Sequence, residues 1–237
     1  MTVAGAGPER RWMLDETTSV GRENLDPGHV SRYDEKEDAK GESEVGVLLA
    51  AGLTGEATVV ELGAGTGQFA LAAADAFRRV VAVDPSPVMR RPLAEKARAR
   101  SSPVEIVPAV FQTYEHRGDP PDAVYSRYAL HHLPDFWKVV ALGRVRRLLR
   151  PGGVFRLWDV VFHFPPDEVD ERIERWCATG SSDEGGWTRA DLEEHIRDEH
   201  STFTWLLEPM IRQAGFEIAD ADYAEDRFSA RYVLVAV

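Results

Sequence analysis

Val59-Val60-Glu61-Leu62-Gly63-Ala64-Gly65-Thr66-Gly67 is the stretch that decides the fold. An apolar strand, Thr58 to Leu62, runs straight into a turn with glycine at alternate positions, and an Ala-rich helix from Gln68 to Phe77 follows. Glycines at a strand end let the backbone approach a ligand closely and aim helix N–H groups at it. The spacing narrows the ligand. A dinucleotide fingerprint requires Gly-x-Gly-x-x-Gly, whereas Gln68 stands where its third glycine belongs, which disfavours an NAD-dependent oxidoreductase. The next apolar strand, Val80 to Val83, closes on Asp84, whose carboxylate can accept both hydroxyls of a ribose.

Working outward, strand and helix alternate, the pattern of a doubly wound parallel sheet with helices on both faces. Ser86-Pro87 reads as an N-cap with proline at the first helical position of a helix reaching Arg100. Strands follow at Val104 to Val107 and Ala123 to Ser126, and a long helix, capped by Asp135, runs to Arg150. Pro151-Gly152-Gly153 turns the chain into a fifth strand, Val154 to Val161. Phe203 to Ala214 is a helix bent at Pro209, and Phe216 to Asp220 and Phe228 to Val237 are the closing strands, which makes seven. The stretch 162–202 interrupts the alternation as an insertion on the substrate side. It holds at least one helix, because Thr188 and Asp191 form a capping box flanked by Trp187 and Leu192. Before the first strand, Glu42 to Ala51 is a short helix. Residues 1–41 form an arm and lid, polar and aperiodic up to about residue 30, and 42–237 form a single domain.

Composition limits the partners. With 28 basic against 40 acidic residues the net charge is −12, and the basic run Arg144 to Arg150 reads as a solvated helix face. Nucleic-acid binding draws on clustered cations, so a small molecule is the expected substrate. No stretch approaches the roughly 20 apolar residues of a membrane span, and no secretory signal opens the chain. The single cysteine, Cys177, fits a reducing cytoplasm and lacks neighbours at metal-ligand spacing. Oligomeric state is undetermined, a homodimer being one option.

The glycine stretch, together with Val80-Val81-Ala82-Val83-Asp84, resembles the first two motifs of class I S-adenosylmethionine (SAM)-dependent methyltransferases. Asp122 to Ser126, His131-His132-Leu133-Pro134-Asp135 and Leu148 to Gly153 extend the resemblance over roughly 55–161. It implies a Rossmann-like, mostly parallel seven-stranded sheet with an antiparallel last strand, SAM as cofactor and S-adenosylhomocysteine as product. It further implies that Gly63, Ala64 and Gly65 lie under the methionine part, with Glu61 supporting the turn. Asp84 and Pro85 would hold the ribose, and Ser86 and Met89 would flank ribose and adenine. The family places an Asp after the third strand for the adenine amino group, but Val110 stands there, leaving that contact to backbone near Phe111 or to Gln112. Arg127 could reach the cofactor carboxylate or pair on the surface. Tyr33 resembles an N-terminal tyrosine that closes over the cofactor.

Methyl transfer is an in-line displacement in which alignment can supply much of the rate, and a base is needed only for a nucleophile that holds its proton. Tyr125-Ser126-Arg127-Tyr128 ends the fourth strand, in place of the Asn/Asp-Pro-Pro-aromatic motif of enzymes acting on nucleic-acid bases or glutamine. The acidic pair plus Asn of magnesium-dependent catechol enzymes is also missing, so no metal is expected. Candidate bases are His131, His132, Asp159, His163 and His200, and Phe162, Phe164, Trp176, Trp187, Phe203 and Trp205 could line an acceptor pocket. The expected activity is methylation of an O, N or C atom of a metabolite. A SAM-binding protein without methyl transfer and a protein or RNA methyltransferase are the alternatives.

Overall fold

The computed structural model describes residues 12–18, 30, 34, 40–180 and 186–237. Tyr33 and most of the N-terminal arm lie outside the described residues. Strands β1 (Thr58–Leu62), β2 (Arg79–Val83), β3 (Val104–Val107), β4 (Ala123–Arg127), β5 (Val154–Phe162), β7 (Phe216–Tyr223) and β8 (Ser229–Ala236) form one sheet, and the two-residue β6 (Thr202–Phe203) pairs with the end of β5. The spatial order is β3-β2-β1-β4-β5-β8-β7. Only β8 runs against its neighbours, pairing antiparallel with both β5 and β7. This is the expected mostly parallel sheet with an antiparallel last strand.

Alternation along each strand sorts side chains onto two faces. Val59, Val80, Ala82, Ala123 and Tyr125 pack under helices α1 (Gly41–Ala50), α2 (Gln68–Ala74) and α3 (Pro87–Arg100). Val60, Val81, Val124, Phe155 and Leu157 pack on the opposite face, under α4 (Asp135–Leu148) and α7 (Thr204–Gln213). All five β1 residues are buried, as a central parallel strand covered on both faces must be. A bidentate ion pair, Glu44 of α1 to Arg156 of β5 at 2.7 and 2.9 Å, is buried on the first face.

Strand order reverses between β1 and β4, and ligands of open sheets gather beyond the strand C-termini at such a point. The insertion supplies α5 (Val169–Cys177) and α6 (Arg189–Asp198), with the Thr188–Asp191 capping box closed as expected. Phe162, Phe164 and Phe228 form a small core of their own there, joined by Trp176 and Phe203. One cap differs from expectation. Pro134, extended, is the N-cap of α4, and Asp135 is the first helical residue, its carboxylate bonded to Lys138 Nζ at 2.9 Å. Among the described residues no helix is long and apolar enough to cross a membrane.

Candidate active site

Gly63, Gly65 and Gly67 have φ of 78°, 50° and 83°, a left-handed conformation that only glycine adopts without strain. The turn is anchored to β2 by Gly63 and Ala64 N–H groups donating to the Val83 carbonyl at 2.9 and 3.0 Å. A Cβ on Gly63 would lie 2.4 Å from Ala129 Cβ, so the loop leaving β4 closes directly on the turn. Asp84 Oδ2 accepts from Gly65 N–H and Oδ1 from Ser86 N–H, each at 2.8 Å. Burial raises its pKa, and the two N–H donors and Arg90 partly offset that. Ser86 in turn caps α3 by accepting from Met89 N–H at 3.2 Å. Glu61 is buried behind the turn, where desolvation pushes its carboxyl well up, and its Oε2 has no hydrogen-bond partner.

These elements floor a concave cleft at the C-terminal ends of the central strands, where small-molecule sites of open sheets form. Gly63, Gly65, Asp84, Pro85, Ser86, Met89, Val110, Phe111 and Arg127 line it. Ala64 and Glu61 are buried as part of the turn and its support instead of in the lining. Arg127 faces the cleft with its guanidinium 4.3 Å from the Tyr128 ring centre and 4.5 Å from that of Trp158. Gln112 turns away, its side-chain amide donating to the Trp137 carbonyl at 3.3 Å.

Sequence reasoning missed Glu16. The 3-10 turn Glu16–Thr18 brings its carboxyl into the cleft wall, where Oε1 accepts from Gln112 N–H at 2.7 Å. Burial pushes its pKa up to about 7, against the pull of the Gln112 and Phe111 N–H groups and Arg144. Its own neighbours in sequence carry no sign of this. The only hint is the apolar Val110 where the family has a carboxylate. Tyr128 was missed too; it lines the cleft with φ of 48°, a strained conformation of the kind found at functional sites.

The candidate bases separate into two groups. His131 and His132 form the 3-10 turn after β4, and Asp159 of β5 grips the first, accepting from its N–H at 3.1 Å and meeting its Nδ1 at 2.5 Å. Glu199, between α6 and β6, completes the cluster, with Oε2 2.9 Å from His131 Nε2 and 2.6 Å from His195 Nδ1. Burial opposes charging of His131, but Asp159 and Glu199 outweigh it and raise its pKa to about 10; burial and the neighbouring His131 lower that of His132 to about 3. Of the two, His132 lines the cleft. His163 does not join them. Its ring stacks on Tyr223 at 3.9 Å and its Nδ1 lies 3.1 Å from Thr204 Oγ1, away from the cleft lining. His200 contributes backbone, its N–H donating to the His131 carbonyl at 3.1 Å. The aromatic residues of the insertion are likewise not in the lining; Phe162 and Phe164 fill its core, and Trp205 is exposed.

Residues 59–153 match the methyltransferase-domain family. An uncharacterised methyltransferase of Bacillus subtilis strain 168, YrrT, is 34% identical over 160 residues, 68% of this chain and 70% of that one. Among solved structures, magnesium protoporphyrin IX methyltransferase from Synechocystis PCC 6803 with bound S-adenosylhomocysteine superposes with a TM-score of 0.67 at 17% identity, covering 94% of this chain and 100% of the other. The [4+2]-cyclase SpnF superposes with a TM-score of 0.61 at 17% identity, over 82% of this chain and 80% of its own. The glycine turn, the carboxylate closing β2 and these relatives agree, and the chain belongs to the class I SAM-dependent methyltransferases.

Proposed function

We propose that this protein transfers a methyl group from SAM to an O, N or C atom of a small-molecule metabolite. The observation that carries the reading is the cleft at the sheet's switch point, with a floor of bare backbone at Gly63 and Gly65, a buried carboxylate at Asp84 and His132 at its edge. SAM suits these residues. Both Asp84 oxygens keep a lone pair beyond the one each gives to a backbone N–H, enough to accept two ribose hydroxyls. Beside Gly65 the space is open as far as Met89 Sδ, 4.0 Å from where a Cβ would stand. Arg127 would pair with the methionine carboxylate, and Val110, Phe111 and Glu16, all in the lining, would wall the adenine end. SAM supplies the methyl group on a sulfonium; the chain's residues align the acceptor with it and keep water out.

The small-molecule reading draws support from where the basic residues go. Arg144 donates to the Phe111 and Tyr114 carbonyls, Arg146 to those of Gly215 and Val237, and Arg150 to Asp122. Three of the four arginines of that run thus hold partners within the chain, while Arg147 and Arg150 stay exposed. That a [4+2]-cyclase shares the fold favours a second reading, SAM binding without methyl transfer. Calorimetric titration of SAM against wild type and Asp84→Asn tests the first step, and about a 10- to 100-fold loss of affinity is expected from one charged hydrogen-bond acceptor. Labelled SAM with a panel of hydroxyl, thiol and amine metabolites tests the second. Binding with no S-adenosylhomocysteine released from any of them would leave the non-transferring reading.

A further inference from the structure

Glu199 Oε2 lies 2.6 Å from His195 Nδ1, 2.9 Å from His131 Nε2 and 3.9 Å from His132 Nδ1. The first two are ion-pair contacts, whereas His132 Nδ1 is buried with no hydrogen-bond partner. One ligand atom from each of His131, His132 and Glu199 falls within 4.8 Å of the other two. Four ligands at zinc-like bond lengths of about 2.0–2.2 Å stand about 3.3–3.6 Å apart in a tetrahedron, so an ion would open the His131 contact to Glu199 by several tenths of an ångström and draw His132 in.

The surroundings fit the same centre. A metal-bound imidazole needs its far nitrogen fixed, usually by a carboxylate or other polar group. Asp159 Oδ1 does this for His131 Nδ1 at 2.5 Å, and His195, fixed through Nε2 by Ser201 Oγ at 2.8 Å, holds Glu199. Asp159 is itself held by the His131 and Val160 N–H groups. Imidazole with carboxylate suits zinc, iron, copper and nickel better than magnesium or calcium.

We propose that His131, His132 and Glu199 bind one transition-metal dication of the zinc class, with a fourth, open position toward the cleft, which His132 lines. A metal here departs from the sequence-based expectation that none takes part. Its use in catalysis rests on the reading of the cleft as a methyl-transfer site; metal binding itself does not. The open position would take an ionisable hydroxyl or thiol of the acceptor. On coordination the acceptor's proton leaves to water, and its heteroatom bonds to the methyl carbon. The carbon–sulfur bond then breaks with its electron pair going to sulfur, giving neutral S-adenosylhomocysteine.

The full chain, stripped with a chelator, is titrated with Zn²⁺ by calorimetry and with Co²⁺ by visible spectroscopy. One ion per chain is expected, with intense tetrahedral Co²⁺ bands. Glu199→Gln should weaken Zn²⁺ binding at least 100-fold, and Asp159→Asn about 10- to 100-fold, as for an orienting partner. Circular dichroism checks that each variant folds; the wild-type titration decides if one does not. No stoichiometric ion in wild type, or affinity unchanged in a folded Glu199→Gln, overturns the proposal. S-adenosylhomocysteine is titrated in parallel with the stripped protein. Binding of it without Zn²⁺ binding sinks the metal and spares the cleft reading, and the reverse result does the opposite.

Discussion

The two ends of the cleft are built in different ways. At the cofactor end, the turn from Gly63 to Gly67 and Asp84 come from adjacent strands, β1 and β2, joined by one short helix, and the contacts are mostly backbone. Behind His132 at the other end, His131, Asp159, His195 and Glu199 come from three places along the chain and meet mainly through side chains. A backbone-built site depends on conformation and tolerates little change in shape. A side-chain-built site depends on which groups the fold happens to bring together, and can be retuned residue by residue. The first kind suits a cofactor shared across a family, the second an acceptor particular to one member.

The sharpest way to break this comparison is to add one methyl group to the cofactor end. Gly63→Ala must hold φ of 78° with a Cβ that starts 2.4 Å from Ala129 Cβ. Left-handed strain costs about 1–2 kcal/mol and overpacking about 1–3 kcal/mol, so urea unfolding should show a loss of about 2–5 kcal/mol. SAM binding should fall below detection, because the loop after β4 is pushed off the turn. A variant that unfolds like wild type and binds SAM normally would mean that the turn is not the rigid element argued here.

The same division sets what the sequence reveals. β1, β3 and the Ser86 cap of α3 were legible because apolar runs, glycine turns and Ser-Pro punctuation are local signals, and each is found in place. The capping box at Thr188 was read for the same reason. Asp135 misled because a carboxylate at a helix start looks like a cap, whereas the extended Pro134 takes that position and frees Asp135 for Lys138. Helix α5 hid its apolar stripe of Val169, Ile173, Trp176 and Cys177 among acidic and basic neighbours, and β6 exists only because Thr202 and Phe203 meet the end of β5. In the site, Gly63, Gly65 and Asp84 announced themselves by spacing. Glu16 and Glu199 did not, because each acquires its meaning from residues far along the chain: Gln112 in one case, His131 in the other.

Glu16 offers a subtler way to sharpen the comparison, since it is a side chain from the arm placed at the backbone-built end. Its carboxyl is raised from an ordinary 4.5 to about 7 by burial. Between those values the folded chain holds a proton that the unfolded chain has lost, so this group makes stability fall as pH rises from about 4.5 to about 7. Glu16→Gln keeps an acceptor for the Gln112 N–H and has nothing to ionise. Urea unfolding at pH 5 and pH 8 should show wild type losing on the order of 2 kcal/mol more than the variant across that interval. Equal losses would place Glu16 in contact with solvent and remove it from the adenine wall.

His163 gives the smallest effect and tests where the acceptor end stops. It follows directly on β5, close in sequence to Asp159, and by position alone it belongs with His131 and His132. Its ring, however, lies flat on Tyr223 at 3.9 Å, and Nδ1 is occupied by Thr204 Oγ1. His163→Ala therefore loses one ring stack and one hydrogen bond, about 1 kcal/mol of stability, while methyl-transfer kcat/KM should change less than about twofold. Scanning calorimetry and single-turnover transfer from labelled SAM measure the two quantities on the same preparation. A tenfold fall in transfer with stability unchanged would move the reaction centre toward β7 and the insertion, and the acceptor end would then be larger than the cluster around Glu199. The stated result keeps the reaction centre on the side of the cleft that His132 lines.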